Sequence, residues 1–81
     1  MANRNNVTSY TIIERLLFIN KKITNNLYPN AKTLARDLEV SVPTIYRDID
    51  FLRDRLRAPL EYDSFNMGYY YSAPFNLFEM I

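Results

Sequence analysis

From Ser9 onward, apolar residues recur three and four positions apart, at Ile12, Ile13, Leu16, Leu17, Ile19 and Ile23. That spacing predicts an amphipathic helix. Thr8 or Ser9 is placed to cap its start, and Lys21 and Lys22 fall in its last turn, where cations suit the helix dipole. TNNLYPN then interrupts the pattern with the turn residues Asn25, Asn26, Pro29 and Asn30, leaving Leu27 and Tyr28 for a short extended stretch. Asn30 can cap a second helix over Ala31–Leu38, with Leu34, Ala35 and Leu38 on one face. Glu39, Val40 and Ser41 make a tight link to a third helix, for which Ser41 is the expected cap. Pro43 sits in the first turn, where its missing N–H costs nothing. Val42, Ile45, Ile49, Leu52 and Leu56 follow at spacings of 3, 4, 3 and 4, a regular apolar stripe. Pro59 disfavours helical geometry in the residue before it, so this helix is expected to end near Arg57.

Beyond Pro59 the period changes. PLEYDS and YYYS bracket FNMG, which contains Gly68, the single glycine of the chain. Residues 60–64 and 69–72 read as two antiparallel strands, with Gly68 supplying a positive φ at the turn. Within the tyrosine run, alternation sends Tyr70 to the face opposite Tyr69 and Tyr71, so part of it is expected to pack. The expected fold is mostly α with a small β-hairpin. Three helices plus a two-stranded wing, the last two helices joined by about three residues, describe a winged helix-turn-helix. Ala35 is small enough to let the third helix approach, and Val40 can plug the crossing from inside. The expected boundaries are a flexible N-terminus over 1–8, the winged domain over 9–72 and an apolar tail over 73–81.

Length and composition then remove most other functions. A chain of 81 residues is one small domain. It has no cysteine and no histidine, which excludes disulfides and thiolate sites and removes the commonest general base and zinc ligand. An enzyme is not expected, and neither a metal nor another cofactor. No apolar run approaches the ~20 residues that span a bilayer, and MANRNNVTSY lacks a signal-peptide core, so the expected location is the cytoplasm, with no membrane partner. The net charge of +1 is unevenly spread. Residues 1–57 carry all ten Lys and Arg against six acids, a net of +4, whereas residues 58–81 carry three acids and no base, a net of −3. The first part suits a polyanion.

The third helix carries the candidate chemistry. At about 100° per residue, Arg47 lies almost opposite the apolar stripe. Pro43, Thr44, Phe51 and Asp54 flank it, and Tyr46 falls on the boundary. An N-terminal half bearing Ser41, Pro43, Thr44, Tyr46 and Arg47 suits a helix that meets a major groove. Arginine grips guanine O6 and N7 together, and threonine meets a thymine methyl or a phosphate. At the start of the second helix, Asn30, Lys32 and Thr33 offer backbone N–H groups and a cation to phosphates. Asp48, Asp50 and Asp54 read as solvating and pairing residues rather than a metal site, with Asp50 three before Arg53 and Asp54 three before Arg57.

The segment KTLARDLEVSVPTIYRDIDFLRDRLRAPLEYDSFNMGYYY resembles the N-terminal DNA-binding head of bacterial WYL-domain transcriptional regulators, and more loosely that of DeoR-like repressors. The shared pattern runs from LA through VS, TIYRDI and FLRD to APLEYD and GYYY, covering most of residues 10–72. The resemblance implies a winged helix-turn-helix in transcriptional control. It also implies that Ser41, Thr44, Tyr46 and Arg47 face DNA and that the turn around Asn66 and Met67 is the wing tip. The family's wing tip often holds arginines, and SFNM has none; its common Leu-Gly at 57–58 is Arg-Ala here. Members usually continue into a C-terminal effector domain. The expectation is therefore either an excised head, with its effector domain or ligand absent from this chain, or a small stand-alone regulator. The tail carries Phe75, Leu77, Phe78, Met80 and Ile81 and reads equally as a linker remnant or as a contact with a second copy. The resulting functional expectation is sequence-specific binding of double-stranded DNA by a dimeric bacterial regulator, with helix 41–57 in the major groove. A winged module that binds protein is the alternative.

Overall fold

A computed structural model of the chain describes residues 10–80. The expected caps Thr8 and Ser9, the lead-in 1–8 and Ile81 lie outside the described residues. Helix α1 spans Ile12–Thr24 and begins later than the periodicity suggested, because Thr11 and Glu14 form a reciprocal capping box. The Thr11 N–H donates to Glu14 Oε1 at 2.8 Å and the Glu14 N–H donates to Thr11 Oγ1 at 3.2 Å. Leu16, Ile19 and Ile23 are buried, while Ile12 and Ile13 remain exposed at the helix start, contrary to their expected place on the apolar face. Tyr28 adopts a left-handed φ of 51° instead of an extended conformation. One backbone bond nevertheless ties this segment to the hairpin, from the Tyr69 N–H to the Pro29 carbonyl at 2.8 Å.

Helix α2 covers Ala31–Leu38, as its pattern predicts, and is capped by Asn30. Helix α3 covers Val42–Asp50, capped by Ser41, and runs into a π-helical turn at Phe51–Arg55. The wide turn closes with the Leu56 N–H on the Phe51 carbonyl at 3.1 Å and the Ala58 N–H on the Leu52 carbonyl at 2.9 Å. Arg57 enters the left-handed region there, with φ 60°. The expected helix over 41–57 is thus α-helical only in its first half. Leaving the helix also separates Arg57 from Asp54: the Asp50–Arg53 pair is present at 3.6 Å, but no Asp54–Arg57 pair occurs among the described residues.

Strands β1 (Leu60–Asp63) and β2 (Gly68–Tyr71) form an antiparallel hairpin, with Leu60 opposite Tyr71 and Asp63 opposite Gly68. β2 lies one residue earlier than expected, and β1 starts as expected but stops a residue short, because Asp63 ends it by turning its carboxylate onto the loop: Oδ1 accepts from the Phe65 N–H at 2.8 Å and the Asn66 N–H at 3.2 Å. Gly68 does not supply the positive φ; Met67 does, at 57°. The glycine answers a steric demand instead. A Cβ built on Gly68 would lie 1.9 Å from the Tyr28 carbonyl oxygen, so only a residue without a side chain lets β2 close on that loop.

The core draws on every element: Leu16, Ile19 and Ile23; Leu34 and Leu38; Ile45, Ile49 and Leu52; Leu60 and Tyr69. Leu77, in a short 3₁₀ turn over Leu77–Glu79, is 1% exposed and completes it. Phe75 packs its ring 5.1 Å from that of Tyr71, whose hydroxyl donates to Asn20 Oδ1 on α1 at 2.8 Å. Phe78 and Met80 stay exposed.

Candidate nucleic-acid interface

The turn between α2 and α3 sets the direction of the third helix. Glu39 ends α2 in the left-handed conformation, φ 56° and ψ 43°. Its N–H donates to the Arg36 carbonyl at 3.3 Å, and the Val40 N–H donates to the Ala35 carbonyl at 3.0 Å. These paired bonds satisfy two carbonyls that the helix end would otherwise leave without partners. Val40 packs partly onto the core and Ala35 is buried, as the crossing requires. Ser41 then opens α3, accepting the Thr44 N–H at 3.3 Å, with the two hydroxyls 2.9 Å apart. One hydroxyl proton is used between that pair, which leaves the other free to donate outward.

A buried ion pair fixes the roll of α3. Asp48 is 2% exposed and accepts from two nitrogens of the Arg15 guanidinium on α1, Nε at 2.6 Å and Nη2 at 3.1 Å. Arg15 also donates to the Tyr10 carbonyl at 2.9 Å. The bond to Asp48 holds the Arg15 guanidinium above its ordinary pKa. Asp48 is therefore a pairing residue, as expected, but a buried positioning one rather than a solvated one. The signal for it was present: Asp48 sits three after Ile45 and four before Leu52, inside the apolar stripe, and Arg15 lies likewise between Ile12 and Ile19. Opposite charges on two facing stripes are a pattern that a single-helix reading passes over.

With α3 so pinned, its outer face carries Ser41, Pro43, Tyr46 and Arg47 exposed and Thr44 half-buried. Among the described residues, Arg47 and Lys32 form no ion pair. Lys32 is exposed on the first turn of α2. Beside it Thr33 is half-buried, and its hydroxyl is held by Asn30, accepting from the N–H at 3.3 Å and donating to the carbonyl at 3.1 Å. Asn66 is apart from these, at the hairpin tip, with its side-chain amide donating to Asp63 Oδ2 at 2.8 Å. The hydrogen bond from that amide is the main reason the Asp63 carboxyl is held below its ordinary pKa. One pair in from the hairpin turn, Tyr62 stacks edge-on against Tyr69, ring centroids 5.2 Å apart, with half of Tyr62 exposed. Burial first, and then the neighbouring Tyr46, raise the Tyr69 pKa. Tyr62 was not singled out in the sequence; only the strand register, which pairs it with Tyr69, brings it forward.

A helix-turn-helix pair followed by a hairpin is what comparison with known families also finds: the model of the HTH domain family matches residues 20–70. The chain belongs to the HTH domain family. No curated protein and no solved structure matches it. The matched HTH segment runs from the second half of α1 to Tyr70 and so contains α2, the turn, α3 and all of the hairpin but Tyr71. An HTH domain is a DNA-binding fold and typically non-enzymatic. Among the described residues, no helix is long and apolar enough to cross a membrane.

Proposed function

We propose that this HTH domain binds double-stranded DNA by sequence, as the reading head of a bacterial transcription regulator, with the helix that begins at Ser41 laid in the major groove. The observation that carries this reading is Arg47. It is an exposed guanidinium with no ion-pair partner among the described residues, on the second turn of a helix that the adjacent Asp48 ties to Arg15 of α1 and whose opposite side is buried through Ile45, Ile49 and Leu52. A cation left unpaired on a rigid mount is suited to a bidentate grip on a base edge. Thr44 reads beside it. Lys32 meets phosphate by charge. Ser41 and Tyr46 meet phosphate through their hydroxyls, while Thr33, whose hydroxyl proton goes to the Asn30 carbonyl, stands beside the helix-start N–H groups that do the same. Pro43 faces the same groove, and Asn66 lies on the wing side. The resemblance to WYL-domain regulators supports a cytoplasmic homodimer reading two half-sites about one helical turn, roughly 34–36 Å, apart.

Replacing Arg47 by alanine is expected to weaken binding to a selected duplex by about 1–3 kcal/mol and to relax preference at one base position. Unchanged affinity and preference would contradict the reading. A second reading, a winged module that binds protein, is favoured by the exposed Ile13, Phe78 and Met80. A salt titration separates the two, because DNA binding weakens steeply with added salt whereas an apolar contact does not.

A further inference from the structure

Among the described residues the hairpin tip is the least protected apolar point: Phe65 is 91% exposed and Met67, two residues on, 63%. Both are mounted on a turn that is held rather than loose. Asp63 accepts the backbone N–H groups of Phe65 and Asn66 and the side-chain amide of Asn66, three hydrogen bonds within a four-residue loop. Gly68 seats the end of that loop directly on the Tyr28 backbone. A phenylalanine presented to water on a braced turn contributes nothing to the core, which ends at Leu60 and Tyr69.

The charge distribution restricts what such a tip can meet on a duplex. Residues 58–81 contain no lysine or arginine, so the hairpin cannot hold phosphates by charge. Aromatic surface nonetheless runs from α3 toward it, with Tyr46 and Tyr62 each about half exposed and Tyr69 between them. What remains available is apolar contact, and duplex DNA offers apolar surface chiefly between stacked bases. Side chains such as Phe and Met enter base steps from the minor groove and kink the helix.

Resting on the major-groove reading above, we propose that Phe65, with Met67, is a wedge that enters the minor groove beside the site, opens one base step and bends the duplex around the hairpin. Asp63 and Asn66 then serve as the brace that keeps the wedge from folding back. Asn66 is thereby a positioning residue rather than a direct contact.

The test uses the full chain and the consensus duplex it selects from a random-sequence pool. The duplex carries donor and acceptor dyes at its ends, and 2-aminopurine placed in turn at each flanking step. The wild-type chain is expected to shorten the end-to-end distance and brighten 2-aminopurine at one step. Phe65→Ala should abolish both signals and weaken binding about tenfold, while leaving the slope of affinity against salt unchanged because no phosphate contact is lost. Phe65→Leu should keep most of the bend. Because Phe65 is outside the core, the thermal melt of either variant should match the wild type. If Phe65→Ala bends and binds like wild type while Arg47→Ala still blurs base preference, the wedge is wrong and the major-groove reading stands. If the wild-type chain selects no duplex at all, both fall.

Discussion

Gly68 and Glu39 illustrate opposite relations between a residue and its backbone. Gly68 has an ordinary φ yet no room for a side chain, since the Tyr28 carbonyl occupies the Cβ position. Gly68→Ala must therefore push β2 away from the loop before α2, and a loss of at least about 2 kcal/mol is expected from denaturant unfolding. Glu39 has ample room and an unfavourable backbone, with φ 56°. Glu39→Gly removes that left-handed strain at the helix-turn-helix corner and should raise stability by about 1 kcal/mol, read as a higher unfolding midpoint with an unchanged slope. Asp48 belongs with them as a residue whose role is set by what it faces. Alone on its helix it would be one more surface acid; opposite Arg15 it sets which side of α3 is presented outward.

Among the elements, α3 and the hairpin share the proposed work unequally. The first half of α3 is regular and capped, whereas the second half widens into a π turn and exits through Arg57. Regular geometry thus coincides with Ser41–Arg47, where side chains must be presented in a fixed register. The hairpin has only four residues in each strand, and its loop depends on Asp63. Since the folded-state pKa of Asp63 is depressed, mainly by the Asn66 side-chain amide, its contribution to hairpin stability is present above the ordinary carboxylate pKa of about 3.9 and is lost as pH falls through the lower, folded value. In a proton-detected titration, the Phe65 and Asn66 amide signals should hold their folded positions below that ordinary pKa and move only at still lower pH. Asn66→Ala should shift this transition upward; an unmoved transition would show that Asn66 does not brace the turn.

At the scale of the molecule, the ends of the fold are tied together through Tyr71. Its ring meets Phe75 and its hydroxyl reaches Asn20, so α1, β2 and the last segment are joined at one phenol. Burial pushes the Tyr71 pKa from the ordinary value of 10.0 up to about 12. Below pH 10 the phenol is protonated in both folded and unfolded chains. Between these values the unfolded chain ionises first, so stability should fall as pH rises through that window. Tyr71→Phe should lower stability at neutral pH by removing the hydroxyl's bond to Asn20, and should flatten that alkaline decline. Denaturant unfolding at a series of pH values reads both effects.

The three helices, the caps at Asn30 and Ser41 and the presence of a hairpin were legible in the sequence, because 3.6-residue periodicity, capping residues and a change of period are local properties that short segments fix for themselves. So were the exposure of Arg47, the boundary place of Tyr46, which is half exposed, and the burial of Ile45, Ile49 and Leu52, which follow from position on a single helix. The start of α1 is also encoded locally, in the Thr11–Glu14 capping box that the periodicity passed over, whereas the π turn after Asp50, the burial of Asp48, the reason for Gly68 and the burial of Leu77 were decided only in three dimensions. Each depends on a partner distant along the chain or on backbone bonds that periodicity does not encode: Asp48 needs Arg15, Gly68 needs Tyr28, and Leu77 needs a core assembled from all the preceding elements. Local patterning chose the elements and their outward faces, and tertiary packing chose how they were locked together, because burial and steric exclusion are properties of pairs that meet only after folding.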